Sequence, residues 1–203
     1  MNSDTRHRLT VTDKILSKTF LPLIPKWVTP NSITWFRLVS IPLVAFLLIS
    51  ERYVPGLILF FLSAFSDAVD GALARTRDKI TDWGKTLDPF ADKLLTGVAV
   101  VILASRFLSV YLAATIVTIE CFLLAGAVYR KRARGIPIEA EMSGKVKVVL
   151  QYIGICTLFL SAIFQMPVLL IVARYSLYFA ILVALVSIVF YAFPSAESDR
   201  RFR

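Results

Sequence analysis

An all-α integral membrane protein is the fold this sequence predicts: six transmembrane helices, an N-terminal interfacial helix, and both termini cytoplasmic. Three observations carry that expectation. First, 57% of the 203 residues are hydrophobic and the mean hydropathy is +0.72, where soluble domains average about 45–50% apolar. Second, six apolar stretches lie at roughly 33–50, 55–74, 86–106, 109–129, 147–165 and 167–193. Most approach the roughly 20 residues that cross a bilayer as a helix. Third, the basic residues alternate. The segments on one side of these stretches hold 18 Lys and Arg, and those on the other side hold 2. Cytoplasmic segments carry the excess, which sets the orientation. The domain expectation is a tail over 1–30, a membrane domain over 31–193 and a second tail over 194–203.

Residues 13–27 open the chain with Ile15, Leu16, Phe20, Leu23, Ile24 and Trp27 on a rough helical stripe among Lys14, Lys18 and Lys26. Such a pattern fits a helix lying on the inner leaflet, ended or kinked by Pro22 and Pro25. The alternative is a solvated basic tail. No cleavable apolar core precedes it. The first span contains Pro42, which blurs its limits. The third begins with charged residues, so its polar end must line a cavity rather than face lipid. The net charge of +9 resides between apolar runs, which reads as membrane orientation and contact with anionic lipid, not nucleic-acid binding. Cys121 and Cys156 sit inside apolar runs and read as small buried hydrophobes. The single histidine, His7, lies in the polar tail, away from any metal-ligand pattern.

The chemistry concentrates in one stretch. Asp67, Asp70, Gly71, Ala74, Arg75, Gly84, Asp88 and Asp92 spell D-x2-D-G-x2-A-R-x8-G-x3-D-x3-D. Carboxylates next to lipid are costly unless paired, hydrated or bound to metal. On helices, the i,i+3 pair Asp67/Asp70 and the i,i+4 pair Asp88/Asp92 each fall on one face. Facing one another, they would make an all-oxygen pocket suited to Mg2+ or Mn2+. Arg75 supplies a permanently charged fork for phosphate. Gly71 and Gly84 remove side chains where a ligand or second helix comes close. The plainer reading, solvated carboxylates at helix ends, fits Asp78 and Asp82 but not two spaced pairs. An ion-coupled transporter would place its acids near the bilayer midplane in repeated halves. Here they sit at the predicted cytoplasmic edge, and no repeat is visible.

This pattern resembles the signature of the CDP-alcohol phosphotransferase family, with every fixed position present. The flanking LDPFADKLL (Leu87 to Leu95) is most similar to the phosphatidylglycerophosphate synthase and cardiolipin synthase branch. The resemblance runs from residue 31 to about 151. It takes in Asn31, Thr34 and Arg37 and a GKxK element at Gly144, Lys145 and Lys147. It implies a two-metal site held by Asp67, Asp70, Asp88 and Asp92, with Asp92 as general base. It also implies CDP-diacylglycerol as donor, held by Gly71, Ala74, Arg75 and Gly84, with Asn31, Thr34 and Thr81 beside the nucleotide. Helix capping is the alternative for Asn31 and Thr34.

The resemblance further implies a small phosphorylated alcohol as acceptor, with glycerol 3-phosphate favoured. Lys145, Lys147, Arg130, Arg134 and Arg37 would bind it; ordinary membrane anchoring is the alternative for the basic residues. Phosphatidylglycerol, giving cardiolipin, and inositol phosphate are the rival acceptors. Relatives of the first kind show Arg-Glu where this chain has Ile119-Glu120. Glu120 is expected to pair with a basic residue of a neighbouring helix, while Lys93 and Arg174 are left without a role. A homodimer is implied by the resemblance; six spans without a targeting peptide point to a prokaryotic inner membrane in contact with membrane lipids, with an organelle membrane as the alternative.

Overall fold

The computed structural model describes residues 30–76, 82–134 and 142–192, and all of the regular structure among them is helical. The helices are α1 (Pro30–Ile49), α2 (Tyr53–Thr76), α3 (Asp82–Phe107), α4 (Val110–Arg134), α5 (Met142–Phe164) and α6 (Pro167–Ala192). The expected interfacial helix over 13–27 and both tails lie outside the described residues. Each helix matches one of the six predicted stretches to within a residue where it falls short, and several run further. α2 ends at Thr76 and α3 begins at Asp82, so every named position of the acidic motif falls on a helix, and 77–81 lie outside the described residues. α4 continues to Arg134 and α5 starts at Met142, so Arg130, Arg134 and the GKxK element lie on helix ends rather than in a connection. Hydropathy marks where lipid contact stops. Arg, Lys and Ala are good helix formers, so the helix persists beyond that point.

Ser32–Ile49, Gly144–Phe164 and Pro167–Ile188 are long and apolar enough to cross a membrane. Tyr53–Ser66 and Val110–Gly126 are shorter apolar helices. Exposed Trp35, Val39, Leu43 and Phe46 on α1, and Val168, Ile171, Tyr175 and Phe179 on α6, present apolar surface outward. Lipid tails accept such a surface and water does not.

The described residues divide into two compact units, up to Val98 and from Ala99 onward. In the first, α1 and α2 form an antiparallel hairpin. Glu51 closes α1 in the left-handed region at φ 60°. Arg52 N–H donates to Leu47 O at 2.8 Å and Glu51 N–H to Leu48 O at 3.1 Å, the paired bonds of a Schellman cap. α1 runs unbroken through Pro42. Near the turn the seam between the two helices is apolar, with Val44, Leu48 and Phe60 fully buried. Further along it turns polar: Thr34, Arg37, Ser40, Ser63 and Ser66 are all buried.

In the second unit, Ser109 caps α4 by accepting the Tyr111 N–H at 3.2 Å. α5 and α6 pack along their length, joined by a turn in which Gln165 has φ 55°. Gly154 of α5 lies against Leu177 of α6. A Cβ there would stand 2.7 Å from Leu177 Cγ and Cδ2. Nearby, Ser176 Oγ donates to Leu150 O at 2.7 Å. Small residues that admit a close backbone, and hydroxyls that bond across it, are how helices associate where lipid removes the hydrophobic drive.

Gly154→Ala is therefore predicted to cost about 1–3 kcal/mol through overpacking. Thermal unfolding of the purified protein checks this. Leu177→Ala in the same chain should recover part of the loss, because it vacates the space the new methyl group needs.

Candidate functional site

The acidic motif is carried by two helices of the first unit. α2 holds Asp67, Asp70, Gly71, Ala74 and Arg75, and α3 holds Gly84, Asp88 and Asp92. Both pairs thus keep the helical spacing that puts positions 67 and 70, and positions 88 and 92, on a common face. Asp92 is the acid of this set whose side chain is described, and it is half-buried. It sits between Ala91 and Leu95, both fully buried on α3. Thr96 Oγ1 donates back to Asp92 O at 3.0 Å and to Lys93 O at 3.2 Å, which ties its hydroxyl to the turn below. The side chains of Asn31, Asp67, Asp70, Gly71, Ala74, Arg75, Gly84, Asp88, Arg130 and Arg134 lie outside the described set, as does all of Thr81. Among the described residues no group of three or more His, Cys, Asp or Glu is brought together.

The α1–α2 seam fixes a register that reaches the motif. Ser40 and Ser63 meet hydroxyl to hydroxyl at 2.6 Å, and Arg37 Nε–H points to Ser66 Oγ at 3.5 Å. Three residues along one helix match three residues back along the other. The same step sets Thr34 level with the turn that holds Asp70, and Asn31 level with Gly71 and Ala72. That register carries the N-x2-T-x2-R stretch along the part of α2 that holds positions 67 and 70. Thr34 is 4% exposed and Arg37 has no exposed surface. Ser40, Ser63 and Ser66 were missed by the sequence reading. Their signal was there: positions 63, 66, 67, 70 and 74 form one helical stripe, and three of them are already in the motif.

The second unit holds the other charged pair. Lys147 Nζ donates to Glu120 Oε1 at 2.6 Å, with the two side chains 8% and 18% exposed. The pair lines a cleft between α4, α5 and α6, with Ile116, Ile119, Gln151, Ala180 and Ala184 around it. Glu120 thus has the basic partner on a neighbouring helix that its apolar setting demanded. The two lysines of the GKxK element have different surroundings: Lys147 is enclosed and paired, whereas Lys145 is exposed. Arg174 of α6 is exposed.

Helices throughout the described residues, three of them long and apolar enough to cross a membrane, define the class of an all-helical membrane protein. The sequence matches the profile of CDP-alcohol phosphatidyltransferase over residues 27–192, and the chain belongs to that family. It is 30% identical over 146 residues to a CDP-diacylglycerol–glycerol-3-phosphate 3-phosphatidyltransferase of Bacillus subtilis (strain 168), covering 64% of this chain and 76% of the relative. It is 35% identical over 103 residues to a chloroplastic protein of the same name from Oryza sativa subsp. japonica, covering 50% of this chain and 31% of that one. A cardiolipin synthase (CMP-forming)/mitochondrial hydrolase fusion protein of Schizosaccharomyces pombe is 38% identical over 108 residues, 53% of this chain and 18% of its own length. The chain thus spans most of the Bacillus protein and less than a third of the other two.

Breaking the enclosed ion pair is predicted to be costly. Lys147→Met should lower stability by about 3–5 kcal/mol by stranding Glu120, and Glu120→Leu added to it should recover most of that. Denaturation midpoints of the single and double variants test this. Equal loss in both would show that the loss does not come from stranding Glu120.

Proposed function

We propose that the protein transfers a phosphatidyl group from CDP-diacylglycerol to glycerol 3-phosphate, releasing CMP and forming phosphatidylglycerol phosphate. The observation that carries this reading is the complete acidic motif, held at helical spacing on α2 and α3, in a chain whose relatives bear that activity in their names. The donor set is all carboxylate oxygen, which suits Mg2+ or Mn2+. Asp67, Asp70, Asp88 and Asp92 would hold two such ions, whose chemistry is to neutralise charge on the phosphate oxygens.

The chain's own residues supply the rest. Asp92 takes the proton from the acceptor hydroxyl as its oxygen attacks the phosphorus that bears diacylglycerol. The pyrophosphate P–O bond breaks, and CMP leaves with the bridging oxygen. Arg75 holds the pyrophosphate. Gly71, Ala74 and Gly84 leave room for the nucleotide, beside Asn31, Thr34 and Thr81. Lys145, Arg130 and Arg134 attract the acceptor phosphate, with Lys147 contributing from its pair with Glu120. The same reading has all six helices crossing a prokaryotic inner membrane, both termini and the site cytoplasmic, and two copies forming a homodimer. Phosphatidylglycerol as acceptor is the second reading, favoured by the likeness to the cardiolipin synthase fusion protein.

Release of CMP from CDP-diacylglycerol by purified protein, with each acceptor supplied separately, tests the proposal. Turnover is expected with glycerol 3-phosphate, falling about 100- to 10,000-fold in Asp92→Asn. Chelation of divalent cations should abolish it. Turnover with phosphatidylglycerol alone would overturn the named product, and no release with any acceptor would overturn the enzyme reading.

A further inference from the structure

The polar half of the α1–α2 seam is tied by a chain of side-chain hydrogen bonds. Arg37 Nε–H points to Ser66 Oγ at 3.5 Å, and Ser66 Oγ–H donates to Ser63 O at 2.7 Å. Ser40 Oγ–H donates to Arg37 O at 2.7 Å. That spends Ser40's only proton, so the 2.6 Å contact between the two hydroxyls must be Ser63 donating to Ser40. Each helix thus gives one side chain to its partner's side chain, and each acceptor returns a bond to its own backbone. None of the four residues is more than 9% exposed.

Such a chain of bonds has a single register. Slipping α2 by one residue would bring Leu62 or Ala64 opposite Ser40 and leave buried hydroxyls unpaired, which is costly. The apolar half of the seam, formed by Val44, Leu48 and Phe60, has no such directional demand. Ser66 is the residue before Asp67, and Ser63 is one turn before it on the same stripe. Whatever fixes the rotation and height of α2 at Ser63 and Ser66 also fixes the acid pair that follows.

We propose that Arg37, Ser40, Ser63 and Ser66 are positioning residues, a clamp that sets α2 against α1 so that Asp67 and Asp70 meet divalent cations in the geometry they need. This rests on the cation-site reading above. It also gives Arg37 a role other than contact with the acceptor, which its complete enclosure disfavours.

The test titrates the purified full-length protein with Mn2+ alone and follows thermal unfolding, so no turnover enters the readout. Ser40→Ala/Ser63→Ala removes both hydroxyls without changing charge. Arg37→Lys keeps the charge but loses the Nε donor to Ser66. In both, the Mn2+ concentration for half-maximal stabilisation is expected to rise about three- to tenfold. Ser63→Thr, which keeps the hydroxyl, should return it towards wild type. Ser176→Ala removes an interhelix hydroxyl bond of the other unit; it should lower the melting temperature and leave the midpoint in place. A cation midpoint unchanged in both clamp variants would overturn the proposal and leave a merely structural seam. If the double variant does not fold, Ser63→Ala alone gives the same reading. Should wild-type protein show no stabilisation by Mn2+, the cation site itself falls, an outcome distinct from a clamp that fails in a protein that responds.

Discussion

Charge and hydrogen-bonding capacity have to be satisfied between helices whose exposed faces are apolar, and this constraint orders the rest of the structure. A carboxylate or ammonium beside hydrocarbon has no water to fall back on. The chain meets the demand twice. In the second unit Glu120 and Lys147 neutralise one another across α4 and α5. In the first, Arg37 and three serines enclose their polar atoms between α1 and α2. Neither arrangement is primarily a source of stability. A buried pair roughly repays its own desolvation, but it penalises every packing that would separate the partners. What such groups supply is a unique arrangement of helices that smooth apolar faces alone would not choose.

The same logic explains where small residues fall. Lipid is as apolar as leucine, so helices gain little by hiding leucine from it, and association relies on close contact and directional bonds. Gly154 lets α5 approach Leu177, and Ser176 fastens the same pair of helices to a backbone carbonyl. α1 and α2 use hydroxyl pairs for the equivalent purpose. The two units have found one solution with different residues, and in the first the fastening stands next to the acidic motif.

Much of this was legible in the sequence, and the reasons are physical. A hydropathy run of the length of a bilayer has few other interpretations, so each helix was foreseen to within a few residues at its apolar end. Spacing of three and four between acids is periodicity, which a helix preserves, so Asp67/Asp70 and Asp88/Asp92 are placed by α2 and α3 as expected. Helix ends were less legible. Arg130, Arg134 and Lys145 sit on helices that outlast their apolar stretch, because hydropathy falls where lipid contact falls and helix propensity does not. Ser40, Ser63 and Ser66 were missed for another reason. A serine in an apolar run has no preferred partner until a second helix supplies one at a defined height. Glu120 lay between these cases: its need for a cation was legible, but the choice of Lys147 over Lys145 depended on which face of α5 turned inward.

The polarity of the α1–α2 seam changes along its length, and this makes the site possible. At the turn that joins the two helices the seam is Val44, Leu48 and Phe60; three turns away it is Arg37, Ser63 and Ser66, and then the acids begin. A lipid that carries a nucleotide has the same gradient, with acyl chains at one end and a charged pyrophosphate at the other. A helix pair apolar throughout would hold the chains and reject the head. One that was polar throughout would not remain in the bilayer. Grading the interior from hydrocarbon to hydroxyl to carboxylate allows a single pair of helices to be anchored in lipid at one end while bearing charge at the other. The hydroxyl stretch is the necessary intermediate. It is polar enough to stand next to carboxylates, yet Ser40 and Ser66 bond back to their own helices and Ser63 meets Ser40 across the seam, so these hydroxyls are buried with partners in place.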